Sequence, residues 1–333
     1  MSVGAEEACR ALGFHFRPKI AMDFDKPALT TYNNNFPSAR TVHYPIESII
    51  DGGLGGQRTS SEEDFLRSMG RIDLVLAGPP CQGHSNLNNH TRRLDPKNLL
   101  MLRVVRFVEL VQPKYVIVEN VPQARLDRHG TPKVAISELK KMGYSVASGV
   151  VDMSTIGVPQ RRKRFVIIAA KGHWVPEIST LISPHQAYGR DLEWAIGDLE
   201  KTPREGILNS AANASMDNLR RMDFLFDNDL FDLPDALRPD CHRLKTHSYG
   251  AVYGRLRWNE PAPTITTGYG SMGQGRYVHP SRRSTITPRE AARLQFFPDF
   301  FNFSGMTRTS LAKMIGNAVP PRLVFALVLG LMR

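Results

Sequence analysis

Asp73-Leu-Val-Leu-Ala-Gly-Pro-Pro-Cys81-Gln-Gly-His-Ser85 runs a short apolar segment into two prolines and a cysteine. The apolar residues predict a buried strand over 73–77 that ends where proline fixes φ and removes the backbone donor. A cysteine just past that end lies on the carboxyl edge of the sheet, where open α/β sheets gather their ligands. A thiol in that position is a nucleophile when nearby positive charge lowers its pKa. Arg92, Arg93, Lys97, Arg103 and Arg106 follow it closely and are the charge on offer. A cysteine taken alone is more often an inert core residue; its place in a loop between Pro-Pro and Gln-Gly favours the reactive reading.

Outward from this stretch, apolar runs and amphipathic stretches alternate. Strands are expected over 19–22, 73–77, 115–118, 144–151 and 165–170, with helices over 27–36, 99–111 and 133–142, the last closed by Gly143. This rhythm predicts an α/β fold, a doubly wound, mainly parallel sheet with helices on both faces. After Gly172 the pattern changes. Pro176, Pro184, Pro203, six aspartates between 223 and 240, and a glycine-rich segment over 268–275 mark a smaller, loop-rich second domain. A helical pattern resumes at Thr287, and an apolar helix over 323–332 is expected to return to the first domain. The expected division is therefore a first domain over 1–172, a small domain over 173–280 and a return segment over 281–333.

The chain has 333 residues with a net charge of +11, which points to a polyanion, nucleic acid ahead of an acidic membrane surface. Its basic residues are clustered: the run after Cys81, then Arg161 to Arg164, then Arg282, Arg283, Arg289 and Arg293. Three cysteines at wide spacing argue against a disulfide framework, and with no C-x-x-C pair no metal is expected. The sequence shows neither a secretory leader pattern nor an unbroken apolar span, and the expected setting is soluble and cytoplasmic, nucleoid-associated in a bacterium.

A second strand end carries a carboxylate. Tyr115-Val-Ile-Val118 runs into Glu119-Asn-Val-Pro122, again on the carboxyl edge. A partly buried carboxyl there can hold a proton for a ring nitrogen, although a lone strand-end glutamate is usually solvated or capping. Together with Gln160-Arg-Arg-Lys-Arg164, Arg289-Glu-Ala-Ala-Arg-Leu-Gln295, Phe297-Pro298 and Gly316-Asn-Ala-Val-Pro-Pro321, these segments follow the order seen in the DNA (cytosine-5) methyltransferases. The chain resembles that family from about residue 4 to its end, with the region near 175–250 unmatched.

The resemblance implies a Rossmann-like methyltransferase that uses S-adenosylmethionine and acts on double-stranded DNA. In the enzymes it resembles, the thiolate at the position of Cys81 adds to carbon 6 of cytosine. The carboxyl at the position of Glu119 protonates or hydrogen-bonds ring nitrogen 3, and carbon 5 then accepts the methyl group. The target base must leave the duplex to be reached. By the same resemblance Arg164 contacts the cytosine carbonyl oxygen and Arg162 braces the Cys81 loop or phosphates. Asp23 would hold the cofactor ribose and Phe24 would pack on adenine, with Asp25 the competing carboxylate. Pro80 and Leu100 would line the cofactor, Leu100 at the methionine end, and Asn317 with Ala318 would close the carboxylate end.

Two departures stand out. Family members open with a strand and a Phe-x-Gly-x-Gly turn, whereas Met1 to Phe14 aligns with the helix that follows that turn. The reading is that Met1 is an internal methionine of a longer product and that the absent piece is the central strand and main cofactor loop. Gly52-Gly-Leu-Gly-Gly56 is no substitute, being read as a flexible loop with no clear helix after it. The second departure is Met314, where the family usually carries Gln.

By the same resemblance, the region between 173 and 280 is expected to be a small target-recognition domain. There Tyr253, Arg255, Arg257 and Trp258 either face DNA or form the small domain's core, and the acidic 223–240 stretch is expected to face away from DNA. The function implied is a DNA cytosine-5 methyltransferase, the modification half of a restriction system with a cognate endonuclease or a solitary relative, acting as a monomer. The alternatives are a catalytically inert, truncated DNA-binding remnant and methylation of RNA by the same chemistry.

Overall fold

The computed structural model describes residues 1–67, 69–80, 96–243 and 252–333. Cys81 and the basic Arg92 and Arg93 lie outside the described residues. Along the chain come α1 (Ser2–Ala11), β1 (Ile20–Asp23), α2 (Lys26–Asn35), β2 (Arg40–His43), α3 (Ser60–Leu66), β3 (Leu74–Ala77), α4 (Leu100–Val111), β4 (Tyr115–Asn120), α5 (Thr131–Lys141), β5 (Tyr144–Asp152), β6 (Gln160–Arg161) and β7 (Lys163–Lys171). There follow α6 (Ile178–Ile182), α7 (Leu192–Ile196), α8 (Gly206–Asn209), α9 (Met216–Asp227), α10 (Asp240–Arg243), β8 (Ala262–Pro263), α11 (Pro288–Leu294), α12 (Arg308–Asn317) and α13 (Pro321–Met332). By packing, Met1–Asp152, Lys163–Gln186 and Leu323–Arg333 form one unit, and Met153–Arg162 with Ala187–Arg322 form another.

In the first unit β4 is buried at all six positions and β7 at its six apolar ones, the near-continuous hydrophobic run of strands covered on both faces. The strand order is β3-β4-β7-β5, with β1 and β2 paired separately. The parallel pairing expected from the sequence holds for β1 with β2 and β3 with β4. It gives way to antiparallel pairing where β7 lies between β4 and β5. Gly157, at φ 81, lies in the connection that reverses the chain between β5 and β7. Among the described residues no strand joins β1 to the four-stranded sheet, so β1 and β3 each keep one unpaired edge. α4 buries Met101, Val104, Val105 and Val108 against Val75, Val116 and Val118 and stops at Gln112, whose φ of 47 is left-handed.

The Gly52–Gly56 loop differs from its sequence reading. It is held, because Arg103 donates to the Gly52 carbonyl at 2.7 Å while Arg106, wholly buried, donates to those of Gly56 and Gln57. Glu62 anchors Arg106 at 2.8 Å and also accepts from the Gly52 N–H. A helix does follow the loop: Thr59 and Glu62 form a reciprocal capping box that starts α3.

The second unit has two apolar clusters. α7, α11 and α12 meet around Leu192, Ile196, Ile265, Leu294, Leu311 and Ile315, and α9 packs Met222 and Leu225 with Tyr253 and Met272. The packing boundaries therefore differ from those expected at 172 and 280. Met153–Arg162 joins the second unit because β6 pairs with β8, and α11 and α12 stay there because their faces fill its core. Of the return segment, the part from Leu323 packs in the first unit, where Gly330 sits against Leu181 with no room for a side chain. The apolar stretch Arg308–Met332 has the length and hydropathy of a membrane span, but 67% of its most apolar window is buried within the fold.

Candidate active site

The strand register brings the first two predicted groups together. Glu119 on β4 lies opposite Val166 on β7, and Arg164, two residues from Val166, shares that face. A long side chain spans such a diagonal. Arg164 Nε accordingly meets Glu119 Oε1 at 2.6 Å, the two side chains being 13% and 11% exposed. The guanidinium is further steadied by donation from Nη1 to the Lys163 carbonyl at 2.8 Å. The other carboxylate oxygen faces the end of β3, since a β-carbon at Gly78 would stand 3.7 Å from Glu119 Oε2. The carboxylate thus stands beside Gly78-Pro79-Pro80, the segment that leads directly to position 81. The α-amino group of Met1 is pushed down to about 6 by burial, with the negative charge of Glu119 acting the other way.

At the carboxyl end of β1, two aspartates divide their work. Asp25 accepts from the Ala28 N–H and caps α2, with Pro27 in the first turn. Asp23, exposed at the strand's end, accepts from the Asp25 N–H at 2.8 Å. Between them Phe24 is 59% exposed, and its carbonyl is 3.0 Å from His43 Nε2. Asp23 and Phe24 thus stand side by side at the carboxyl edge of β1. Pro80 and Leu100, both half-buried, bracket the undescribed stretch.

Arg162 lies in the second unit, 2% exposed, donating to the carbonyls of Ile265 at 2.8 Å, Gly316 at 3.2 Å and Ala318 at 3.0 Å. These bonds turn its guanidinium toward backbone, and the Cys81 loop that it is expected to brace lies outside the described residues. The alternation along 160–162 explains this. Gln160 and Arg162 point inward while Arg161 points out to Glu260 at 2.8 Å. Asn317 is exposed and Ala318 half-buried at the end of α12, so the turn that Arg162 grips presents Asn317 to solvent.

A family model described as C-5 cytosine-specific DNA methylase matches residues 1–332. The chain belongs to that family. It is 47% identical over 333 residues to the type II methyltransferase M1.BsuMI of Bacillus subtilis (strain 168), covering all of this chain and 78% of the relative. It is 31% identical over 331 residues to the type II methyltransferase M1.HphI of Haemophilus parahaemolyticus, covering 95% of this chain and 82% of that one. Among solved structures, a protein encoded in an E. coli prophage and described as a DNA modification methyltransferase superposes with a TM-score of 0.67 at 23% identity, over 99% and 94% of the two chains. At that identity the likeness shows the fold. The matches run through the whole chain as a methylase, and nothing in them favours an inert DNA-binding remnant.

Within this methylase, two aromatic residues that the sequence left between facing DNA and forming core pack into the second unit, Tyr253 wholly and Trp258 partly. Tyr253 is buried, and Trp258 packs on the larger cluster with its Nε1 donating to Ser281 at 2.9 Å. Arg255 lies over Phe226 and Phe231 at 4.2 and 4.8 Å. The acidic stretch is paired with arginines: Asp223 and Asp227 with Arg283, Asp229 with Arg255, Asp232 with Arg276. The sequence reading gave no role to Gln160 and Gln295, both fully buried, whose amides bond each other while Gln295 and Arg162 both donate to the Gly316 carbonyl. A signal was present, because two glutamines inside matched motifs are costly to bury without partners. No group of three metal-ligating side chains occurs among the described residues.

Proposed function

We propose that this methylase modifies carbon 5 of a cytosine rotated out of duplex DNA, with Glu119 and Arg164 forming the base-binding pair and Cys81 the nucleophile. The observation that carries the reading is the Arg164–Glu119 contact at 2.6 Å on the face of β4 and β7 nearest Gly78. A guanidinium locked in this way orients the carboxyl, and Glu119 then holds a proton for ring nitrogen 3 while Arg164 meets the carbonyl oxygen. Withdrawing electrons from the ring makes carbon 6 electrophilic, and the Cys81 thiolate adds there, leaving carbon 5 nucleophilic. After alkylation a base, a site group or water, takes the carbon 5 proton; the electron pair left behind forms the 5,6 double bond as the carbon 6–sulfur bond breaks, which releases the thiolate and restores the ring.

S-adenosylmethionine supplies the electrophilic methyl group. Asp23 and Phe24 at the end of β1 are suited to its ribose and adenine, Pro80 and Leu100 to its flank, and Asn317 with Ala318 to its carboxylate end. The charge of +11 supports DNA as the polyanion, and the type II names of its relatives support a place in a restriction-modification system. A cognate endonuclease, a cytoplasmic setting and a monomeric state complete the proposal.

The test is transfer of labelled methyl from S-adenosylmethionine to mixed-sequence duplex DNA, with tRNA as a competing substrate. Cys81→Ser is expected to abolish transfer while DNA affinity is kept. Retained turnover would remove Cys81 as nucleophile, and preferential labelling of tRNA would remove duplex DNA as substrate.

A further inference from the structure

We infer that Gln295 is a positioning residue for the cofactor, acting with Gln160 and Arg162 to set the Gly316-Asn317-Ala318 turn. The inference rests on the reading that Asn317 and Ala318 face the cofactor. It starts from the end of α12, where the last carbonyls of a helix lack intrahelical partners. Helices commonly close by a left-handed residue that returns backbone N–H groups to those carbonyls. Here the chain leaves in extended form, Ala318 having φ −63 and ψ 145, and a single backbone bond from Ala318 to Ile315 at 3.3 Å closes the turn. Side chains supply the rest. Gln295 Nε2 donates to Ile315 at 2.6 Å and reaches Gly316 at 3.5 Å, while Arg162 donates to Gly316 and Ala318.

The direction of this relay is fixed by one backbone group. Ile265 N–H donates to Gln160 Oε1 at 3.2 Å, so the Gln160 amide nitrogen must face the other way. It donates to the Leu294 carbonyl and to Gln295 Oε1, both at 2.8 Å. Gln295 is thereby left with its nitrogen toward Ile315 and Gly316. On the opposite side the turn has no clearance, since a β-carbon at Gly316 would come within 2.3 Å of Thr267 N. The turn is held between residues 266–267 on one side and the Gln295 amide and Arg162 guanidinium on the other, and its extended exit exposes Asn317. Gln295→Glu keeps the oxygen that accepts from Gln160 but sets carboxylate oxygen against two carbonyls, so it attacks the donor half alone.

Calorimetric titration with S-adenosylhomocysteine, alongside steady-state kinetics on duplex DNA, decides the matter. Gln295→Glu is expected to weaken binding by roughly tenfold or more and to raise the KM for S-adenosylmethionine equally, with kcat little changed. Asn317→Ala tests the underlying reading and should also weaken binding. If Asn317→Ala weakens binding and a folded Gln295→Glu does not, Gln295 has no positioning role. If Asn317→Ala has no effect, the reading of the turn fails and the inference with it. A measurement on the unaltered chain covers loss of folding in the variants. Reciprocity requires S-adenosylhomocysteine to slow hydrogen exchange at the Ile265 amide, which donates into the far end of the relay. Unchanged exchange there would overturn the inference.

Discussion

Arg162 and Arg164 stand two residues apart in one basic run, and they do opposite things. Arg162 is buried on three backbone carbonyls and holds a turn. Arg164 engages the Glu119 carboxylate and the Lys163 carbonyl at the carboxyl edge of a sheet. The first side chain holds backbone and the second a carboxylate proposed to meet the substrate, although the two carry the same charge. What separates them is where each sits: Arg162 directly follows the short β6, which pairs with β8, and Arg164 lies within the long β7, which pairs with β4.

The largest effect is expected at Arg164. Arg164→Lys keeps the charge but replaces a planar fork by a point charge, and turnover at saturating cofactor should fall by about a hundredfold, with the thermal midpoint little changed. Arg162→Leu should do the reverse in kind. Three carbonyls lose their donor, and urea unfolding should report a loss of about 2–4 kcal/mol. A stable Arg162→Leu protein with impaired chemistry, or an Arg164→Lys protein with normal turnover, would break the contrast.

The building side of the contrast has a pH signature as well. His279 is buried in the second unit, accepting from the Ser281 N–H at Nδ1, with Trp258 edge-on to its ring. Burial, then the charges of Arg282 and Arg204, push its pKa down to about 2, although Glu290 stands 3.8 Å from Nε2. The unfolded chain takes up a proton near pH 6.5 that the folded chain refuses. Stability from this residue is therefore complete above that pH and is lost as pH falls below it, with a slope of up to about 1.4 kcal/mol per pH unit. Urea titrations between pH 7 and 5 should show that slope, and His279→Leu should flatten it. An equal slope in the variant would assign the dependence to other groups.

How far the sequence reaches follows from the same residues. Both strand ends of the candidate site were legible, because apolar runs that stop at Gly-Pro-Pro and at Glu-Asn-Val-Pro mark the carboxyl edge of a sheet whatever the remaining topology. The antiparallel hairpin was not, since a buried strand reads alike in either direction. The Gly52–Gly56 loop was misjudged because its restraints come from Arg103 and Arg106, about fifty residues on; the helix after it was signalled locally by Thr59 and Glu62. The roles of Arg162, Gln160 and Gln295 depend on which way each side chain points, and a run of basic residues carries no such information.

The smallest expected effect repeats the contrast at β1, again between like residues two apart. Asp25 caps α2, so Asp25→Ala should lower stability by about 1 kcal/mol and leave S-adenosylhomocysteine affinity as it was. Asp23 sits at the strand's exposed end beside the uncovered ring of Phe24, and Asp23→Ala should weaken that ligand by roughly tenfold with little effect on unfolding. Measured in one calorimetric and urea series, the two variants separate a carboxylate that starts a helix from one proposed to meet a ribose. A shared affinity loss would mean that the α2 cap also sets the ligand geometry. Loss in Asp25→Ala alone would exchange the two assignments, making Asp25 the carboxylate that meets the ribose.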